Sequence, residues 1–156
     1  MNDVNTVRRV LALLDEWGVQ CWLFGGWAEE LRGLRTPGPH TDIDLLYPAD
    51  GFAAVKAFLA SGQVEEIAAK RLFHKRAFLF DGVMTELFLV HRDQSGLHTM
   101  FWGSVRHDWP DNTLDSPASF EWPVASPAAL TGYRQNYRRL AVGREPYLAR
   151  GAEAPP

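Results

Sequence analysis

Asp42-Ile43-Asp44 places two carboxylates two residues apart inside an apolar stretch that ends in Leu45-Leu46-Tyr47. On a strand, residues i and i+2 share a face and lie roughly 6–7 Å apart. Two carboxylates on one half-buried face repel, and one would have to take up a proton unless a cation sits between them. A divalent metal removes that conflict. Mg²⁺ favours one or two carboxylates completed by substrate phosphates and water, so Asp-x-Asp suits a metal–nucleotide site. A pair of aspartates closing a strand at the surface is the plainer alternative.

Gly25-Gly26 follows the apolar run Cys21-Trp22-Leu23-Phe24. Two glycines where a strand enters a helix let backbone approach an anion closely, and free N–H groups there favour a phosphate. Together the two motifs suggest one end for phosphates and one for the metals that bridge them. A third carboxylate, Glu86, is the only charge in Thr85–Val90. On a strand beside Asp42–Tyr47 it would join the aspartates as a metal ligand, or take the proton of an attacking hydroxyl as general base. Cations to balance a triphosphate are available in Arg32, Arg35, His40, His74, Lys75 and Arg76; Lys75 and Arg35 are favoured.

These residues need a scaffold. Val4, Val7, Leu11 and Leu14 recur at helical spacing, with Asn2 or Asp3 as cap and Gly18 as stop. Gln20–Phe24 and Asp42–Tyr47 read as strands, and Trp27–Leu34 and Gly51–Ala60 as helices. Asp81-Gly82 between the apolar runs Lys70–Phe80 and Val83–Val90 signals a hairpin. Residues 91–119 read as irregular, Phe120–Val124 as a short strand, and Ser126-Pro127 as the cap of a helix running to about Leu140. This order predicts an α+β fold, a mixed β-sheet flanked by helices in one small domain over residues 1–142, with an extended, loose tail over 143–156.

The stretch Gly25-Gly26-Trp27, His40, Asp42, Asp44 resembles the signature of the polymerase-β-like nucleotidyltransferase superfamily. The resemblance is to its antibiotic-modifying branch, the lincosamide and aminoglycoside 2″-type nucleotidyltransferases. It extends as a pattern over roughly residues 5–140, with HKRAFLFDGVMTELFLV resembling the segment that carries the third acid. It implies a nucleotidyltransferase fold and transfer of a nucleoside monophosphate, AMP from ATP, to a hydroxyl of a small molecule such as a lincosamide or aminoglycoside. It also implies phosphate contacts at Gly25 and Gly26, Mg²⁺ (two ions) at Asp42 and Asp44, and Glu86 as third acid and base. Glu86 is one methylene longer than the Asp of several relatives. The chain also lacks the long helical C-terminal domain of some relatives. It is similar to the short lincosamide-type architecture, which implies a homodimer. Two other readings remain: a protein-modifying enzyme of the toxin–antitoxin type, and a nucleotide-binding protein without turnover.

The net charge of −3 argues against a general polyanion binder, so no nucleic-acid partner is expected. No apolar run has the length of a membrane span and the N-terminus lacks a signal-peptide core, so the expected location is the cytoplasm. Cys21 is the only cysteine and reads as a small buried hydrophobe. Trp102, Trp109 and Trp122 read as core or interface anchors, or as the wall of a cleft for a sugar-like acceptor.

Overall fold

The Asp3 carboxylate accepts the Thr6 amide N–H at 2.9 Å and starts α1 (Val4–Glu16), which buries Val7, Val10 and Leu14 on one stripe. The computed structural model describes residues 2–151. After Gly18 the chain enters β1 (Trp22–Phe24), then α2 (Gly25–Leu31) directly, two residues earlier than the sequence suggests. β2 (Asp42–Pro48) returns antiparallel to β1, with Asp44 opposite Phe24.

A crossover then carries the chain through α3 (Ala53–Leu59), the two-residue β3 (Glu65–Glu66) and a 3-10 turn over Ala68–Lys70. β4 (Lys75–Phe80) and β5 (Val83–Asp93) form the expected hairpin. Asp81 and Gly82 at its tip both have positive φ, 50° and 74°, the geometry an Asp-Gly turn accommodates. β5 lies parallel to β2 and antiparallel to β4, giving the order β1-β2-β5-β4-β3. Helices pack on this mixed sheet around fully buried Leu14, Ile43, Leu45, Phe58 and Phe78, an α+β architecture as expected.

Four expectations about elements change. The strand expected from Lys70 begins at Lys75, because Lys70 closes the 3-10 turn. Residues 91–119 are not irregular throughout. β5 extends to Asp93 and pairs with β6 (Gly96–Phe101), which pairs with β7 (Val105–Trp109). Phe120–Val124 is not a strand; Val124 makes a single bridge to Leu23, with Leu23 N–H bonded to the Pro123 carbonyl and Ala125 N–H to that of Leu23, both at 2.8 Å. The tail is not extended from 143, since after α4 (Pro127–Leu140) and a 3-10 turn the chain forms α5 (Arg144–Ala149) with Tyr147 buried. The looseness expected of the last residues falls on 152–156, outside the described residues. Among the described residues no helix is long and apolar enough to cross a membrane.

Candidate active site

Parallel pairing of β2 with β5 sets Asp42 opposite Met84 and Asp44 opposite Glu86. Side-chain alternation then puts all three acidic residues on one face. Asp44 and Glu86 line a cleft of about 370 Å³ together with Gly25, Gly26, Lys75 and four residues from α4, Leu130, Tyr133, Arg134 and Tyr137. The sheet supplies the carboxylates, the β1–α2 junction supplies the glycines, and α4 forms the opposing wall.

Gly25 is indispensable to this packing. Its φ is +61°, and an added Cβ would fall 2.3 Å from Asp44 Oδ2. At Gly26 a Cβ would stand 2.8 Å from Arg35 Nη1 and 3.0 Å from His40 Nδ1. The room left by the two missing side chains is thus filled by Asp44, Arg35 and His40.

The carboxylates have different electrostatic surroundings. Burial, with the negative charge of Glu86 next, pushes Asp44 up to about 7, Lys75 opposing both. Glu86 is buried as well, which alone would raise its pKa. The ammonium groups around it win: Lys75 Nζ lies 3.2 Å from Oε2 and Lys70 Nζ 2.5 Å from Oε1, and they hold Glu86 below the usual carboxylate range. Lys75 also sits over the Phe88 ring at 4.7 Å.

The favoured cations separate. Lys75 is in the cleft. Arg35 is exposed beside Gly26, 4.0 Å from Glu29. Arg32 is tied elsewhere, donating to the carbonyls of Asp115, Val124 and Ala125. His40 packs tilted against Trp27 at 4.2 Å and contacts Glu30 at 3.1 Å, so it supports the loop ahead of Asp42. His74 and Arg76 do not line the cleft: His74 packs among Phe88, Phe101 and Trp102, and Arg76 lies over Phe52. The tryptophans do not line the cleft: Trp109 is buried against Phe24, Trp102 packs on Tyr147, and Trp122 borders a separate groove beside α1.

Three participants escape a reading of the sequence. Lys70 has no periodic pattern to mark it. Glu29 on α2 accepts two bonds from Arg134 on α4, from Nε at 2.6 Å and Nη2 at 2.9 Å. The partners lie 105 residues apart, and no local signal could have joined them.

Asp42 and Asp44 suit a divalent cation. Both offer hard oxygen donors from one face, and the repulsion that burial and Glu86 impose on Asp44 is what a cation relieves. In this arrangement lysines engage both oxygens of Glu86, Lys70 at Oε1 and Lys75 at Oε2. Among the described residues no three His, Cys, Asp or Glu gather for a metal ion.

The model of the aminoglycoside-2″-adenylyltransferase family matches residues 6–113. The chain belongs to this family. Within the aminoglycoside-2″-adenylyltransferase family, curated 2″-aminoglycoside nucleotidyltransferases from Escherichia coli and Klebsiella pneumoniae are 34% identical over 66 residues. That stretch is 41% of this chain and 37% of each relative, so the match spans little more than a third of their length. Two solved structures share the fold. ANT(2″)-Ia in complex with adenylyl-2″-tobramycin superposes with a TM-score of 0.60 at 17% identity, covering 96% of this chain and 98% of that one. The lincosamide antibiotic adenylyltransferase LnuA, lincomycin-bound, gives 0.65 at 14% identity, covering 94% and 96%. The nucleotidyltransferase fold and the antibiotic branch expected from the sequence are borne out.

Proposed function

We propose that the protein transfers AMP from ATP to a hydroxyl of a small antibiotic-like molecule in the cytoplasm. The observation that carries this reading is the pairing of Asp44 with Glu86 at the cleft floor, backed by Gly25 and faced by α4. Family membership supports it, as do the antibiotic-bound states in which both structural neighbours were solved.

In this reading Asp42 and Asp44 hold magnesium. Bound there, the metal would neutralise phosphate charge and polarise the α-phosphoryl group. Lys75 and Arg35 offset the charge of the triphosphate, and backbone at Gly25 and Gly26 contacts it. The acceptor oxygen attacks the α-phosphorus as its proton passes to Glu86. A new O–P bond forms, the bond from the α-phosphorus to the bridging oxygen breaks, and pyrophosphate leaves with that electron pair. Lys70 and Lys75 keep Glu86 ionised, the form a base requires, at the cost of basicity. Lys70, more than a third exposed, is the partner free to withdraw when the acceptor arrives.

The test is pyrophosphate release from ATP and Mg²⁺ with lincomycin or tobramycin, read with the mass of the product. Release with a mass gain of one adenylyl group is expected; no release with either overturns the reading. The engagement of Glu86 by two lysines favours one alternative, nucleotide binding without turnover. It predicts a thermal shift with ATP and Mg²⁺ but no pyrophosphate. A homodimer, proposed from the resemblance to the lincosamide nucleotidyltransferases, is checked by light scattering.

A further inference from the structure

Arg134 joins the two walls of the cleft. It stands on α4, which faces the carboxylates, and it lines the same space as Gly25, Gly26 and Glu29. Glu29 stands on α2, about one turn beyond Gly26. Its side chain is only 11% exposed, and its carboxylate accepts from Arg134 Nε at 2.6 Å and Nη2 at 2.9 Å. Paired bonds of this kind fix the plane of a guanidinium as well as its position.

That pairing leaves donors over. A guanidinium fork has more N–H groups than one carboxylate can take. Among the described residues Arg134 Nη1 makes no hydrogen bond, and the side chain is 64% exposed. On the other flank, Arg35 Nη1 lies 4.0 Å from the same Glu29 carboxylate and 2.8 Å from where a Cβ on Gly26 would stand. One carboxylate offsets one of the two guanidinium charges, so this cluster keeps positive charge beside the glycines. The α-phosphorus must lie within reach of Asp44 and Glu86, whereas Arg134 is held at Glu29. Resting on the nucleotidyl-transfer reading, we infer that Arg134 binds the β- and γ-phosphates of the nucleotide and that Glu29 is the positioning residue that aims it.

Calorimetry with Mg²⁺ and α,β-methylene-ATP reads binding without turnover. Arg134→Gln should weaken it by at least about tenfold, as for a lost hydrogen bond to a charged group, and should leave AMP affinity unchanged. Arg134→Lys keeps the charge but cannot bond carboxylate and phosphate from one rigid fork, so it should recover little of that loss.

Glu29→Gln decides the positioning role by its sign. Removing a negative charge near a triphosphate tightens binding if charge alone matters. If the aim of Arg134 matters, binding weakens, by about threefold or more. In the Arg134→Gln background the same change should tighten binding, since only its charge then counts. No loss with Arg134→Gln, or an equal loss for AMP, overturns the assignment of Arg134 while leaving nucleotidyl transfer intact. Tighter binding with Glu29→Gln alone overturns the positioning role. Where that variant does not fold, Arg134→Lys decides, and wild-type affinity there refutes the part given to the fork. A wild-type protein that binds no nucleotide overturns the transfer reading and this inference with it.

Discussion

Gly25 and Asp44 are two halves of one contact. A methyl at Gly25 would meet a carboxylate oxygen at 2.3 Å, and φ of +61° penalises any L side chain there. Gly25→Ala should cost at least about 1 kcal/mol in urea unfolding, because the strain cannot be relieved without moving Asp44. The same shift should depress turnover well beyond the loss of stability. Asp44→Asn separates the two effects. It removes a negative charge that burial and Glu86 both disfavour, so melting at pH 8 without magnesium should occur at a higher temperature than in the wild type. Turnover should fall by about a thousandfold or more, as for loss of a group aimed at charge in the transition state. A variant that keeps full turnover would exclude Asp44 from the metal site.

At the scale of elements, what could be read from the sequence follows from how local its signals are. α1 has its cap, stripe and stop within sixteen residues, and the β4–β5 hairpin has Asp81-Gly82 at its tip. Asp42, Asp44 and Glu86 were legible because alternation fixes their face once two strands pair. β6 and β7 were hidden by Trp102, which takes φ 59° where Gly or Asn is expected. Tertiary contacts hold it there: its N–H donates to His74 Nδ1 at 3.0 Å, and its ring packs against Tyr147. α5 was hidden for the same reason, since its anchor is the Tyr147 hydroxyl accepting the Phe73 N–H at 3.0 Å. Tyr147→Ala should cost about 3 kcal/mol through the lost aromatic packing and expose Trp102, seen as a red shift in fluorescence. Tyr147→Phe should lose only about 1 kcal/mol, the worth of the hydrogen bond. Equal behaviour of the two variants would exclude the hydroxyl as an anchor.

Over the whole molecule, buried titrating groups couple folding to pH with opposite signs. Burial lowers His74 to about 3, and His107 to about 4, from 6.5. Below pH 6.5 the unfolded chain protonates both while the folded chain does not, so their contribution, complete above 6.5, is lost as pH falls. Asp44 runs the other way. Raised from 3.8 to about 7, it holds a proton in the folded state across the same window and is relieved as pH falls. Between pH 5 and 6 the unfolded state thus gains two protons on histidines where the folded state keeps one on Asp44. Stability should rise with pH there by at least about 1.4 kcal/mol per unit for the net proton of these three groups. Asp44→Asn removes the opposing group, so its slope should be steeper by about one further proton, another ~1.4 kcal/mol per unit. His91, also lowered by burial, enters both proteins alike and cancels in the difference. Urea unfolding at several pH values without metal measures both slopes. Parallel lines for wild type and variant would mean that Asp44 is already ionised in the folded protein. The electrostatic conflict that draws a cation to this face would then be absent.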